Sequence, residues 1–563
     1  MDIVLVGLPG SGKSAVGRRL AHRHGATFID LDDAIETAAG RPIPAIFESE
    51  GEAGFRIREA AAVEALGAPD PAARVRQVIA TGGGTVVDPR NRWRLARGRI
   101  VVWLDGRPEA LAQRLRHSRT VRPLIAGRDP IGAVRSLLAT RERFYAAGHR
   151  MNALAEPGGI AMAIEELVSA GIGPAARLLD AETKIGRFVI GDGIAAEAID
   201  DALARLDARR AILVSEPGAW AAAGAAIADE LRRRGRTVEV VELPNGEAAK
   251  RLTVVETAAR ALAGLRVERR EPLVAIGGGA LGDAAGLLAA LWLRGVPVIQ
   301  VPTTLVAQID SAIGGKTAVD LPEGKNLLGA FHQPTAVIVD VGLLRSLPER
   351  QRRGALGEAV KMAILGDERL LELLESDGEA IARGDEAAFE SGAVAELVER
   401  AMWAKVEVVV ADEREQGAAG GRIALNLGHS AGHAFEAAAG YAALLHGEAV
   451  AYGLRVACRL GVALDVTPRD RADRAERLLD ALGLGLGRLP YPASEVMSLL
   501  GADKKHAAGH LRWVLPTAEG VVVRSDVPGE LVAATIASVL AVPPSTPAGA
   551  GSAGAGSAKT TGR

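Results

Sequence analysis

The sequence predicts an α/β fold over its first two thirds and a mainly helical region after it. Three observations carry that prediction. Short apolar runs alternate with helical segments: "DIVLVG", "ATFID", "VIATGG" and "RIVVWLD", then "RAILVS", "TVEVVEL", "PLVAIGGG", "PVIQVPTT" and "AVIVD". Apolar strands separated by helices are the pattern of parallel sheets covered on both faces. From about Leu344 the strand-like runs stop and long helical patterns such as "AVAELVERAMWAKVEVVVADE" take over. Finally, 563 residues exceed what one hydrophobic core serves, so several domains are expected.

Residues 1–168 read as one α/β domain. The stretch "SAGIGPAARLLDAETKIG" has Gly and Pro but no clear period, which places a linker at 169–183. A second α/β domain follows at 184–343 and a helical one at 344–542. The tail 543–563, "PPSTPAGAGSAGAGSAKTTGR", cannot bury a core and reads as disordered. A formal charge of −2 argues against a nucleic-acid footprint, so any basic cluster should serve a small anion. The single cysteine, Cys458, excludes an internal disulfide and a thiolate zinc finger, and its apolar setting makes it packing. The chain opens directly on a strand, and no apolar run reaches the roughly 18 residues of a membrane helix. A cytoplasmic protein is therefore expected.

In the first domain "GLPGSGKS" (Gly7 to Ser14) stands between a strand and a helix. Such glycines let backbone N–H groups close around phosphate oxygens. Lys13 adds a mobile positive charge, and the Ser14 hydroxyl can ligate Mg²⁺. This half reads as binding a nucleoside triphosphate. "FIDLDDAIE" puts Asp30 and Asp32 two apart at the end of the second strand, facing the same way. One carboxylate could order Mg²⁺ and the other take a proton from an acceptor hydroxyl; an acidic strand end capping a helix is equally compatible. "GEAGFRIREA" adds Arg56 and Glu59 at i,i+3, "TGGGTV" a second glycine turn, "RTVRPLIAG" a basic lid, and "TRERFY" Arg141. Asp105, ending "VVWLD", reads as structural.

These motifs, in this order, resemble shikimate kinase over roughly residues 1–168. The resemblance implies that Gly10, Ser11, Gly12, Lys13, Ser14 and Ala15 hold ATP, with Ser14 and Asp30 toward Mg²⁺. Asp32 would bind a ring hydroxyl of shikimate and act as base. Arg56 and Arg141 would grip its carboxylate, a match of planar geometry as well as charge. Gly82, Gly83 and Gly84 would line the acceptor ring, Arg122 would close over the phosphates, and Arg114 would contact the nucleotide. Gluconate or a nucleoside monophosphate as acceptor gives no reason for the two-arginine clamp.

In the second domain "IGGGALGDAAG" (Ile276 to Gly286) again joins a strand to a helix, by itself a weak sign of pyrophosphate binding. "PNGEAAK" before it and "VPTTLVAQIDSAIGGKTAVDLPEGKNLLGAF" after it strengthen the sign. Lys316, Lys325 and Asn326 are expected on a loop close to Asp310, with Arg294 preceding in "WLRG". Singly each lysine reads as a solvated surface residue. Together they point to a phosphorylated, carboxylated ligand.

"LNLGHSAGHAFEAAAGYAALLHGEAV" (Leu425 to Val450) holds three of the chain's ten histidines. His429 and His433, at i and i+4, share a helix face, and His446 is expected in a short "HGE" segment. "GALGEAVKMAIL" puts Glu358 and Lys361 at i,i+3. Glu358, His429 and His446 could form the two-histidine, one-carboxylate set of a catalytic zinc, which keeps positions open. Spacing alone favours three helix histidines without a metal.

The ordered series GGGxxGD, PTTLxAQxDSxxGGKT, GKNxxGAF, GEAVK, NLGHxxGHxxE, LHGEAV and DKK resembles 3-dehydroquinate synthase over about 184–542. The resemblance implies an α/β NAD-binding domain followed by a mainly α-helical metal-binding domain. It implies NAD-dependent cyclisation of 3-deoxy-D-arabino-heptulosonate 7-phosphate at Zn²⁺ or another divalent ion such as Co²⁺. Glu358, His429 and His446 would be the ligands. Asp310, Lys316, Asn326, Glu415, Arg422, Asn426, His433 and Lys505 would position substrate, and Arg294 and Lys361 would add positive charge. Glu247, Lys250, Gly278, Gly279, Gly282, Asp283, Thr303, Thr304 and Lys325 would hold the dinucleotide. Lys316, Lys361 and His433 are the catalytic candidates, with Lys13, Asp32 and Arg122 in the first domain.

Three departures stand out. The segment from Glu415 to Arg422, "EQGAAGGR", is longer than usual, "VSEPGAW" replaces an aspartate-containing turn, and "KTAVD" replaces "KTGVN". The expectation is a bifunctional shikimate-pathway enzyme, kinase first, dimeric through the synthase half. A related sugar-phosphate cyclase making a cyclitol, and a scaffold with dead sites, are the rivals; the "GGKT" lysine, the attached kinase and the intact motifs speak against them.

Overall fold

The computed structural model describes residues 2–67, 75–116, 129–169, 176–415, 421–441, 443–485, 489–504 and 511–541. Two compact units form, Met1–Leu425 and Asn426–Arg563. The division falls inside the stretch read as one helical domain.

The first sheet of the larger unit has strands β1 (Asp2–Val6), β2 (Thr27–Asp30), β3 (Gln77–Ala80), β4 (Arg99–Asp105) and β5 (His149–Asn152) in the order β2-β3-β1-β4-β5. All pairings are parallel. β1 lies at the centre, which is why "DIVLV" is buried throughout and shows no alternation. The helices that serve the site are α1 (Lys13–His24), α2 (Leu31–Ala39), α3 (Ile43–Glu64, bent at Gly51), α4 (Pro89–Ala96), α5 (Pro108–Arg116) and α6 (Pro130–Tyr145). Thr81 N–H donates to Leu5 O at 3.1 Å, so the segments leaving β1 and β3 emerge side by side. This is the crevice at the carboxyl ends of strands where open α/β sheets bind ligands.

The second sheet has β6 (Ala176–Thr183), β7 (Gly186–Asp192), β8 (Arg210–Ser215), β9 (Thr237–Glu242), β10 (Leu273–Gly277) and β11 (Val298–Pro302). A hairpin, β12 (Lys316–Leu321) with β13 (Gly324–Phe331), precedes β14 (Ala336–Asp340). The sheet order is β6-β7-β14-β11-β10-β8-β9, parallel except for the β6-β7 pair. Ala176–Thr183, read from the sequence as linker, is thus an edge strand. Register aligns Ile276 with Ser215 and Gly277 with Pro302, so the ends of β8, β10 and β11 share one edge. Helix α7 (Gly279–Leu291) starts at that edge.

Three long helices of this unit follow the sheet in the chain: α8 (Glu349–Gly366), α9 (Glu368–Arg383) and α10 (Ala393–Ala411). Most of α8 is buried around its whole circumference, the pattern of a core helix. The smaller unit holds α11 (His429–Ala438), α12 (His446–Ala463) and the antiparallel hairpin β15 (Trp513–Pro516) with β16 (Val521–Arg524), strands that the helical reading of this region omitted. No helix of the described residues is long and apolar enough to cross a membrane.

Candidate active sites

In the first domain the phosphate loop leaves β1 and enters α1 at Lys13. The Lys13 ammonium is buried and donates to Gly7 O at 2.8 Å and Leu8 O at 3.1 Å, so it is held over the loop by the loop's own carbonyls. The Ser14 hydroxyl donates to Asp30 Oδ2 at 2.6 Å, bringing the two expected Mg²⁺ groups together. Asp30 Oδ1 meanwhile accepts from Asp32 N–H at 3.2 Å and caps α2. Asp32 therefore lies in the first turn of a helix rather than on the strand, a correction to the sequence reading; the carboxylate at the strand end does cap.

The Gly82–Gly84 turn is where the other candidates converge, and its glycines are explained by what a Cβ would meet. At Gly82 it would lie 2.8 Å from Asp32 Oδ1, at Gly83 2.8 Å from Pro9 of the phosphate loop, and at Gly84 2.6 Å from the Arg56 guanidinium. Arg56 donates to Glu59 at 2.7 Å and Glu52 at 2.9 Å; burial works against its charge, but these carboxylates outweigh it and hold it on. Buried Glu59 accepts from the Thr85 hydroxyl at 2.7 Å. Arg141 donates to Gly83 O at 2.9 Å, and the Tyr145 hydroxyl, pushed up to about 12 by burial, donates to the same oxygen. Two carboxylates, Asp32 and Glu59, and two guanidiniums thus surround a turn that touches the phosphate loop. Arg114 donates to Ala153 O at 2.9 Å, close beside Gly12. Asp105 pairs with Arg150 at 2.6 Å. Arg122 and its lid lie outside the described residues.

On the second sheet Gly278 and Gly279 open α7, and Thr303 N–H donates to Gly277 O at 2.9 Å. A Cβ on Gly278 would touch Thr304 at 3.3 Å. Two lysines reach this edge from elsewhere. Buried Lys250 donates to Asp283 Oδ2 at 2.8 Å and to Asn326 Oδ1, and Lys325 pairs with Glu247 at 3.0 Å. Burial pushes the Asp283 carboxyl up to about 6, with Lys250 opposing. Lys316, Lys325 and Asn326, expected on a loop, lie on the β12–β13 hairpin; the polar, half-exposed strands hid it. The sequence reading also left Glu216 unassigned. Its carboxylate accepts from Gly246 N–H at 2.6 Å and Gly278 N–H at 3.3 Å, at the head of the crevice between β8 and β10.

Below that edge lies a buried quartet. Lys361 contacts Glu358 at 2.5 Å and Asp310 at 3.6 Å, and Lys405 of α10 donates to Asp310 O at 2.8 Å and Oδ1 at 2.7 Å. Burial alone would raise the Asp310 carboxyl, but the two ammoniums outweigh it and hold it low. Burial likewise acts to lower Lys361, yet Glu358 and Asp310 raise it; Lys405 is lowered, mainly by burial. Removing one member of such a cluster costs about 3–5 kcal/mol because a charge is stranded. Lys405 was missed from sequence. The available signal was a lysine amid the apolar run "AMWAKVEVVV".

Lys316 pairs with Glu415 at 2.7 Å, so Glu415 reaches the expected group despite the lengthened segment, whose residues 416–420 lie outside the described ones. Arg422 donates to Glu413 O at 2.5 Å and Gly314 O at 3.2 Å. Arg294 is not brought here. It follows the end of α7, whose 13 residues span about 20 Å at 1.5 Å per residue, so it sits at the opposite edge of the sheet. Lys505 lies outside the described residues.

In the smaller unit α11 and α12 cross backbone to backbone because glycines occupy the crossing. A Cβ on Gly453 would strike Gly428 O, and one on Gly432 would lie 3.3 Å from the Val450 backbone. His429 and His433 stand one turn apart, and His446, expected in a short segment, is the first residue of the long helix α12. The close crossing puts the His429 ring 5.4 Å from that of His433 and 5.3 Å from that of His446. Nδ1 of His429 faces Leu427 O at 3.2 Å, and Nδ1 of His446 faces buried Glu436 at 3.3 Å. With the proton on Nδ1, each Nε2 carries the lone pair that a metal ligand offers. Asn426 begins this unit.

Residues 240–354 match the family model described as 3-dehydroquinate synthase N-terminal, and 355–506 the C-terminal one. A 3-dehydroquinate synthase of Synechococcus sp. (strain CC9605) is 41% identical over 323 residues, 57% of this chain and 85% of that protein. The chain belongs to the 3-dehydroquinate synthase family. Residues 9–167 match the shikimate kinase model, so a kinase domain precedes the synthase and the chain is a bifunctional shikimate-pathway enzyme, a kinase and a lyase. Among solved structures, it is similar to ValA, a 2-epi-5-epi-valiolone synthase from Streptomyces hygroscopicus subsp. jinggangensis 5008 solved with NAD⁺ and Zn²⁺. Identity is 28% and TM-score 0.56, covering 62% of this chain and 96% of that one. It is similar also to a 2-deoxy-scyllo-inosose synthase solved with carbaglucose-6-phosphate, NAD⁺ and Co²⁺, at 25% identity and TM-score 0.56, covering 63% and 96%.

Proposed function

We propose that the first domain transfers the γ-phosphoryl group of ATP to shikimate, giving shikimate 3-phosphate. The synthase half, in turn, converts 3-deoxy-D-arabino-heptulosonate 7-phosphate to 3-dehydroquinate with release of phosphate.

In the kinase, Lys13 and the loop N–H groups would neutralise the phosphates, with Arg122 as a further positive charge. Asp32 takes the proton of the attacking hydroxyl, while Arg56 and Arg141 hold the shikimate carboxylate beside Gly82–Gly84. Ser14 and Asp30 would hold Mg²⁺, which supplies charge neutralisation at the phosphates. The pairing of Ser14 with Asp30 at 2.6 Å supports that placement.

In the synthase, Gly278, Gly279, Gly282, Glu247, Lys250, Asp283, Thr303, Thr304 and Lys325 would hold NAD, which supplies a hydride acceptor restored in each turnover. Glu358, His429 and His446, one carboxylate and two imidazoles, would hold a zinc or cobalt ion. That ion supplies Lewis-acid polarisation of a substrate hydroxyl. Lys361 and Lys316 attract the anionic substrate; Asp310, Asn326, Arg422, Asn426 and Lys505 orient it; His433 presents an imidazole able to move a proton. NAD with Zn²⁺ or Co²⁺ in the two related cyclases supports both cofactors. Those two are named as a valiolone synthase and a scyllo-inosose synthase, but the 41% identity to a 3-dehydroquinate synthase exceeds their 28% and 25%. A cytoplasmic homodimer formed through the synthase half completes the reading, supported by exposed Leu291 and Leu293 at the far end of α7.

The observation that carries the metal reading is the close crossing of α11 and α12, which sets the His429 and His446 rings 5.3 Å apart, each with Nδ1 facing an oxygen. His446→Ala should lose bound zinc on elemental analysis and lose synthase activity while shikimate phosphorylation continues. Stoichiometric zinc in that variant, or loss of both activities in a folded chain, would overturn it.

A further inference from the structure

We propose that helix α10 of the synthase half braces the kinase's acceptor turn, and that Glu399 is a positioning residue for shikimate binding. The inference rests on the reading of Gly82–Gly84 as the shikimate turn.

The brace runs through Arg92, which follows that turn on α4. Arg92 is 3% exposed; its guanidinium donates to Val86 O and, at 2.9 Å, to Val87 O, the carbonyls that end the turn. Its other amino group is paired with Glu399 of α10, itself 6% exposed. The same guanidinium lies 4.0 Å over the Phe144 ring, and the neighbouring Tyr145 donates to Gly83 O. One buried ion pair therefore holds the segment that follows the turn, and its guanidinium packs on the residue next to the one that bonds the turn itself. In a dry setting Arg92 without Glu399 is a stranded charge that must find other acceptors, and Val86 and Val87 are the ones it already touches.

The surrounding contact is built, not incidental. Arg90 pairs with buried Glu396 at 2.7 Å and Asp377 at 2.9 Å, and Trp93 donates to Glu390 O at 2.9 Å. Gly392 is in the left-handed region at φ +81°, and a Cβ there would strike the Trp93 indole. Arg143 lies 4.4 Å from the Trp403 ring. Six residues past Glu399, about 9 Å along the helix, Lys405 of the same α10 holds Asp310. A single helix thus carries the kinase brace and a synthase cation.

The test is steady-state kinetics of both reactions on the full chain with Glu399→Gln and Glu399→Ala. Glu399→Ala should raise KM for shikimate about 10-fold, the scale of one charge-assisted hydrogen bond. KM for ATP should stay within about twofold and kcat should hold, while Glu399→Gln, which keeps an acceptor oxygen for Arg92, should fall between. Synthase turnover on the same sample reports that α10 is folded. Unchanged KM for shikimate in both variants overturns the brace. So does a uniform loss across kcat, both KM values and the synthase, which is the signature of damage to the fold alone. A parent chain that phosphorylates no shikimate overturns the reading of the turn and the brace with it.

Discussion

The two glycine turns of this chain sit in the same topological place and are equipped in opposite ways. Gly7–Gly12 leaves β1 for α1, and Gly278 leaves β10 for α7, each at the carboxyl edge of a parallel sheet. In the first the cation is part of the turn: Lys13 folds over Gly7 and Leu8, six and five residues away. In the second the turn itself has no cation. Lys250 arrives from a segment before β10 and Lys325 from the hairpin after β11, each tied to a carboxylate, Asp283 or Glu247. A phosphate site encoded in eight contiguous residues survives almost any change elsewhere. One assembled from three segments is as strong as the fold that gathers them.

The largest effect is expected where charge and loop coincide. Lys13→Ala removes the only side-chain cation of the first turn and should lower shikimate kinase kcat about 10³-fold, on the scale of losing a preorganised transition-state donor. Synthase kinetics on the same preparation should be unchanged. Equal loss of both activities in a folded chain would break the picture of two independently equipped turns.

Lys250→Met tests the distributed turn. It removes the ammonium shared by Asp283 and Asn326 and leaves a partly buried carboxylate without its cation, at a cost of up to about 3 kcal/mol. NAD affinity by calorimetry should fall about 10- to 100-fold and the unfolding temperature of the synthase half should drop. Because the lysine holds fold and ligand together, the two losses should appear in one variant. The Lys13 variant should show none of the second.

The same contrast explains what could be read without coordinates. Strands β1, β3 and β4 were legible because parallel central strands are continuous apolar runs, and the phosphate-loop candidates were legible because they lie together in one glycine turn. The β12–β13 hairpin was not: "KTAVDL" and "GKNLLGAF" are half-exposed, so neither alternation nor an apolar block marks them. β6 was lost in a Gly/Pro stretch for want of a period. Arg294 stands past the far end of α7, a separation that its closeness in sequence to Asp310 did not reveal. Lys405 and Glu216 were missed since their roles depend on partners far away in the chain.

The smallest expected effect isolates Asp283, the carboxylate that the distributed turn must keep beside its borrowed lysine. Its carboxyl is pushed up to about 6 from an ordinary 3.8, by burial first, with Lys250 opposing. For an acid raised in the fold the protonated form is the favoured one. Its contribution to stability is thus most favourable below the unfolded value and is lost as pH rises through the folded value. Between pH 7 and pH 5 the parent should gain about 1 kcal/mol in the unfolding transition of the synthase half from this group. Asp283→Asn, which cannot titrate, should lose that increment while the rest of the pH profile is kept. Denaturant midpoints at the two pH values for both proteins measure it. A variant with the parent's full increment would mean that the lysine neutralises the carboxylate outright, and that the second turn is as well compensated as the first.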